Sequence, residues 1–203
     1  MKLRFTLLIS AAALMGSTLS SHTVAASPAS SPPLAAINVV DLNGKRHTIP
    51  DRAARATVVI FIAHDCPISC ALLPEVDRIR KDNPGIPFYI VYAEPGLTEA
   101  VARQHAKQYG ISSTCISAHW QNLVRWSNAH VTPEALVVTK SGSVAYEGRI
   151  NNKYAGLGVY RATATSNELR NALDEISHGQ SVRISKTTPV GCTIETMLLR
   201  GNG

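Results

Sequence analysis

The run Thr57-Val58-Val59-Ile60-Phe61-Ile62 constrains this chain more than any other segment. It is continuous, apolar and rich in β-branched residues, the pattern of a strand covered on both faces. It stops at His64-Asp65-Cys66-Pro67, after which Leu72, Leu73, Val76 and Ile79 recur at helical spacing. Pro67 suits the first helical turn, where its missing N–H has no partner to lose, and Asn83-Pro84-Gly85 ends the helix. Pro74, inside the pattern, is expected to kink it. A buried strand feeding directly into a helix puts Cys66 at the carboxyl end of a central strand, where open α/β sheets site their chemistry.

The rest of the pattern fits around that strand. Residues 37–42 and 46–49 flank Asn43-Gly44, a hairpin signal because both residues tolerate positive φ. Residues 86–92 read as a second apolar strand, 98–109 as a helix closed by Gly110, 113–117 as a short extended piece and 120–126 as another helix. After Thr132-Pro133 come strands over 135–139 and 144–148, joined at Lys140-Ser141-Gly142, then a last helix over 167–177 closed by His178-Gly179. This order predicts an α/β fold over residues 37–179, a central mixed sheet flanked by helices with an N-terminal β-hairpin. Residues 180–203 lack periodicity, carry Cys192 and must lie over the domain or hang free.

The first residues read as an address. Lys2 and Arg4 form a basic start, residues 5–16 are apolar, and Val24-Ala25-Ala26 is a small-residue cleavage site, which predicts a signal peptide over 1–26. Residues 27–36, rich in Ser, Pro and Ala, follow as a flexible leader. The apolar run is well short of the roughly 20 residues that span a bilayer, and no cysteine follows it to accept a lipid. The expected product is periplasmic or secreted, without stable membrane insertion after cleavage near Ala26. Cleavage removes two basic residues and no acid, so the formal charge of +6 falls to +4. Those charges are scattered and aromatics make up only 5% of the chain, which argues against nucleic acid as a partner.

Four cysteines remain, Cys66, Cys70, Cys115 and Cys192, in a chain expected to reach an oxidising compartment. A domain of this size folds without staples, so catalytic or metal-binding use competes with structural use. At a helix N-terminus the orphan amides and the macrodipole favour a thiolate, which marks Cys66 as the nucleophile. His64 stands two residues before it, as a positive partner for the thiol or as a ligand. Cys70 lies one turn on, close enough in sequence for a somewhat strained and easily reduced bridge to Cys66. Cys192 has two readings, a bridge to Cys115 that pins the tail or a resolving thiol carried to Cys66. His130 reads as a helix-end histidine, and His105 and His119 as surface residues.

Residues 58–62, Cys66-Pro67-Ile68-Ser69, Pro74-Glu75, Thr132-Pro133-Glu134, the stretch 148–154 and the ending Val190-Gly191-Cys192-Thr193-Ile194 together resemble the redoxin branch of the thioredoxin superfamily. The likeness is to exported, peroxiredoxin-like redoxins with a Cys-Pro-Ile-Ser segment and a terminal Gly-Cys-x-Ile. It implies a thioredoxin-like fold, with Thr132-Pro133 as a cis-proline loop facing the reactive cysteine. It also implies cofactor-free exchange with protein thiols and disulfides or a small thiol reductant. True peroxiredoxins carry Pro and Thr where this chain has Val59 and Ala63, so the groups that position and polarise a peroxide are missing. Peroxidase, and with it antioxidant, activity is therefore the third expectation. The Cys66–Cys70 spacing is similar to the copper site of Sco-type assembly proteins, which add a distant histidine. That opens the second expectation, a copper-binding or copper-delivery protein using Cys66, Cys70 and His130 or His64. The leading expectation is an exported thiol/disulfide oxidoreductase with Cys66 as nucleophile, Cys70 or Cys192 as resolving thiol, and His64, Pro67, Thr132 and Pro133 in support.

Overall fold

A computed structural model describes residues 32–196. The signal peptide expected over 1–26 and the first part of the leader lie outside them. In chain order the elements are β1 (Ile37–Val40), β2 (Arg46–Ile49), β3 (Ala56–Ile62), α1 (Pro67–Asp82), β4 (Phe88–Tyr92), α2 (Glu99–Gln108), β5 (Thr114–Ile116) and α3 (Trp120–Ser127). They continue with β6 (Val131–Thr132), β7 (Glu134–Thr139), β8 (Val144–Gly148), β9 (Tyr154–Gly156), β10 (Val159–Tyr160), α4 (Glu168–Ser177) and β11 (Cys192–Thr193). The central sheet runs β5-β4-β3-β7-β8. Strands β3, β4 and β5 are parallel, and β7 runs antiparallel to both its neighbours, β3 and β8, so the sheet is mixed as expected.

Strand β3 is buried at every position because both faces are covered. Val58, Ile60 and Ile62 face Leu72, Leu73, Val76 and Ile79 of α1 and Leu169 and Leu173 of α4. Val59 and Phe61 face Trp120, Leu123 and Val124 of α3, joined there by Ile49 of the hairpin. Period-2 alternation thus sends successive residues of one strand into two separate cores, which explains the unbroken apolar run. Helix α1 continues through Pro74 from Pro67 to Asp82.

The hairpin turn is longer than expected, because residues 41 and 42 belong to it and not to the first strand. The last paired residues are Val40 and Arg46, so five residues turn the chain. Asp41 organises them: its carboxylate accepts from the amides of Asn43 and Lys45, at 2.8 and 2.9 Å, and meets His47 Nε2 at 2.9 Å. Gly44 takes a positive φ of 79°, whereas Asn43 does not. A side chain that caps its own turn has displaced the tighter alternative.

Residues 180–196 lie on the domain. The Thr187 amide donates to Glu147 and the Glu147 amide to Ser185, which ties the segment to β8. The hydroxyls of Thr187 and Tyr146 stand 2.7 Å apart at the place where a Cβ on Gly148 would overlap Thr187. The chain then crosses to β6, where β11 pairs antiparallel, Cys192 opposite Thr132 and Thr193 opposite Val131. Neither this pair nor the β9–β10 hairpin is anticipated by the sequence pattern.

Candidate active site

Strand β3 delivers the chain through Ala63-His64-Asp65 to Cys66, the N-cap of α1, with extended φ and ψ of −76° and 113°. The Cys66 carbonyl accepts the first helical bond, from the Cys70 amide at 3.0 Å. The residue is only 1% exposed. Its sulfur meets two groups from distant sequence, the Thr132 carbonyl at 3.2 Å and the Cys192 sulfur at 2.8 Å. Burial pushes the Cys66 thiol up, but the Cys192 thiol, the Ser69 hydroxyl and amide and the Cys192 amide outweigh it and hold it below the usual thiol range. The Ser69 hydroxyl is buried without a geometrically formed hydrogen bond. It stands close enough to favour a thiolate on Cys66 while making no formed bond to the thiol.

Cys192 arrives by strand pairing. Ile194 is buried in the α3-side core, its amide donates to the His130 carbonyl at 2.9 Å, and the Thr132 hydroxyl donates to the Cys192 carbonyl at 3.4 Å. Thr132–Pro133 is a cis peptide bond and both residues are buried. Gly191 passes so close to this loop that a Cβ would overlap the Thr132 carbonyl. Burial pushes the Cys192 thiol up, and hydrogen bonding to Cys66 adds to the rise. The two touching thiols are therefore displaced in opposite directions, one towards thiolate and one towards thiol.

Cys70 belongs to a different environment. Its sulfur meets the His64 carbonyl at 3.3 Å and His105 Nε2 at 3.5 Å. An expected i, i+4 partner of Cys66 is thus engaged with α2 instead. His64 corrects a second expectation, since its ring pairs with Glu94, Nδ1 to Oε1 at 2.5 Å, and the same carboxylate accepts its amide. The groups that lower the Cys66 thiol are Cys192 and Ser69, and no histidine is among them. His105, expected on the surface, is buried at 5% exposure, and its Nδ1 meets the Tyr92 hydroxyl at 3.0 Å. His119 is exposed as expected, and Pro67 is exposed at the helix start.

The alternatives also have locations. Cys115 is buried in β5, where burial pushes its thiol up to about 12, and its S–H reaches the Ser113 carbonyl. Cys192 thus stands against Cys66, and the expected alternative of a Cys115–Cys192 bridge is not formed. His130 is exposed, with its amide on Glu134. Among the described residues, the three metal-capable side chains that converge are His64, Asp65 and Glu94, an oxygen and nitrogen set without a thiolate. The copper set of Cys66, Cys70 and His130 or His64 is not brought together. Val59 and Ala63, where a peroxidase would carry Pro and Thr, are both buried.

No protein-family model matches the chain, and no curated protein matches it. Solved structures do. A hypothetical protein from Sinorhizobium meliloti aligns with TM-score 0.71 and 20% identity over 83% of this chain and 94% of its own. An uncharacterized conserved protein from Geobacillus kaustophilus aligns with TM-score 0.72 and 19% identity over 82% of this chain and 92% of its own. A thiol:disulfide interchange protein of the thioredoxin family from Chlorobium tepidum aligns with TM-score 0.52 and 18% identity over 75% of this chain and 98% of its own. At these identities the likeness is one of architecture, and the architecture is thioredoxin-like.

Proposed function

We propose that this chain is an exported thiol/disulfide oxidoreductase in which Cys66 is the nucleophile and Cys192 the resolving thiol. One observation carries the reading: two sulfurs 126 positions apart stand 2.8 Å from one another, in surroundings that lower one thiol and raise the other. The Cys66 thiolate attacks one sulfur of an external disulfide, breaks the S–S bond and releases a thiolate that takes a proton from solvent. Cys192 then gives up its proton and attacks Cys66, which expels the second substrate thiol and leaves an internal Cys66–Cys192 disulfide. Two electrons have passed to the substrate, and an external dithiol restores the pair by the reverse exchange.

The burial of Cys66 adds a requirement. An external disulfide reaches it only after residues 191–194 move from β6, and their return delivers Cys192 for the second step. Protein disulfides or a small thiol are the expected partners, in keeping with the Chlorobium neighbour, a thiol:disulfide interchange protein. Export rests on the N-terminal segment, and N-terminal sequencing of the mature protein tests it, with Ser27 as the expected first residue. Peptide mapping after exposure to oxidised dithiothreitol tests the pairing. A Cys66–Cys192 peptide is expected, and a Cys66–Cys70 or Cys115–Cys192 peptide in its place overturns the assignment.

A further inference from the structure

One turn along α1 from Cys66, Cys70 closes a chain of polar groups that the Cys66 chemistry does not use. The chain runs from the Tyr92 hydroxyl to His105 Nδ1 at 3.0 Å, from His105 Nε2 to Cys70 Sγ at 3.5 Å, and from Sγ to the His64 carbonyl at 3.3 Å. Counting hydrogens assigns the tautomer. If Tyr92 donates to Nδ1, Nε2 carries the proton and donates to Cys70, whose S–H donates to the His64 carbonyl, and every hydrogen has an acceptor. In the other tautomer, Tyr92 has no acceptor for its hydrogen among the described residues. Burial, and then the neighbouring His64, pushes His105 below the usual histidine range, so the ring is neutral and polarised by its hydrogen bonds.

This thiol is also reachable. Cys70 is half-buried, whereas Cys66 and Cys115 are buried. Its mouth is edged by Tyr109, 40% exposed and tilted over the His105 ring with centroids 4.5 Å apart, and by the partly exposed His64 ring. The neighbouring Cys70 thiol pushes the Tyr109 hydroxyl up, although the two form no hydrogen bond. Around Cys70 stand nitrogen and oxygen atoms, while the sulfurs of Cys66 and Cys192 are engaged with each other.

We propose that Cys70 and His105 form a second thiol-exchange site that accepts a small-molecule disulfide and keeps it as a mixed disulfide. The Cys70 sulfur attacks one sulfur of RS–SR, the Cys70–SR bond forms as the S–S bond breaks, and RS⁻ leaves with the proton that Cys70 carried. The Nε2–H of His105 stabilises the attacking thiolate, and Tyr92 fixes the tautomer that presents it. Both are positioning residues. With the sulfurs of Cys66 and Cys192 engaged with each other, neither resolves the adduct, and it persists. It also displaces the contact to the His64 carbonyl, two residues before Cys66, so its formation is a route by which the small-thiol pool acts on the main site.

The test uses the full reduced chain and oxidised glutathione as probe, read by non-reducing peptide mapping over time. One glutathione is expected on Cys70, with Cys66 and Cys192 joined to each other and Cys115 free. His105→Ala is expected to slow thiolation of Cys70 roughly tenfold, the scale of one hydrogen bond to a charged group, and to leave Cys66–Cys192 closure unchanged. His105→Gln, which keeps an N–H, is expected to recover part of the rate. Cys70 left free, joined to Cys66, or thiolated equally fast in His105→Ala overturns the proposal. Should His105→Ala not fold, the early ratio of Cys70 to Cys115 labelling in the native chain decides, with tenfold or more in favour and equal labelling against. Because each cysteine is read separately, failure here and failure of the Cys66–Cys192 assignment leave different peptides.

Discussion

Cys66 and Cys70 stand one turn apart on the same helix and occupy unlike worlds. Cys66 faces the loop at Thr132 and the tail strand, touches another sulfur and is held towards thiolate. Cys70 faces α2 and touches a backbone carbonyl and an imidazole. Spacing along a helix sets which residues are neighbours on its surface, but the side chains that meet the two thiols, His105 and Cys192, come from 35 and 126 positions away. The difference teaches that the contact between Cys66 and Cys192, the proposed redox pair, is a product of topology, not of local spacing.

Removing the nucleophile is the largest test of this contrast. Cys66→Ser is expected to reduce disulfide reductase turnover about a thousandfold or more, because the chemistry loses its attacking atom. Cys70→Ser is expected to leave most of it. An insulin-disulfide reduction assay separates them, and equal losses in the two variants break the comparison. Next comes the resolving step: Cys192→Ser is expected to accumulate a mixed disulfide on Cys66 that Cys70 fails to clear, seen as an adduct mass on the intact protein.

Gly191→Ala sharpens the comparison from the tail side. The added Cβ overlaps the Thr132 carbonyl, so docking of residues 191–194 is expected to weaken by about 1–3 kcal/mol. Iodoacetamide should then label Cys66 faster and Cys70 at an unchanged rate. The smallest effect concerns pH. Cys115 keeps its proton in the fold up to about 12, whereas an unfolded thiol loses it near 9.0. Its contribution to stability is therefore full below pH 9 and is lost as pH rises towards 12. Urea midpoints between pH 8 and 11 should fall less steeply in Cys115→Ala than in the parent, and parallel slopes would refute that assignment of the alkaline loss.

The parts of this molecule that could be read from its sequence are those set by local pattern. Strand β3, the start of α1 at Pro67 and the Gly110 end of α2 follow from apolar periodicity and from residues with restricted or permissive backbones. Cys66 was legible for the same reason, as a cysteine at a strand-to-helix junction. His105 was not, because α2 shows no wide apolar stripe and buries Ala102 and His105 among Arg103, Gln104, Lys107 and Gln108. Nor was the meeting of Cys192 with Cys66 fixed, since a two-residue strand has no period and its register is set by Thr132 across the chain. A histidine two residues from a cysteine suggested a partner, but Glu94 at the end of β4 claims its ring. In each miss the deciding contact comes from an element that local sequence does not see.

The span between Cys66 and Cys192 ties electron transfer to mechanical integrity. In the proposed reaction a disulfide between residues 126 positions apart would close the chain from α1 to β11 into one loop and leave β1, β2 and β3 outside it. In the chain-entropy account such a closure removes freedom from the unfolded chain equivalent to roughly 5 kcal/mol at room temperature. The oxidised protein would then be harder to unravel from α1 onward, while the reduced protein is held at β11 by a two-residue strand and the anchor of Ile194. On that mechanism each turnover would fasten and unfasten the molecule, and the compartment's redox poise would become a setting for how long the protein lasts.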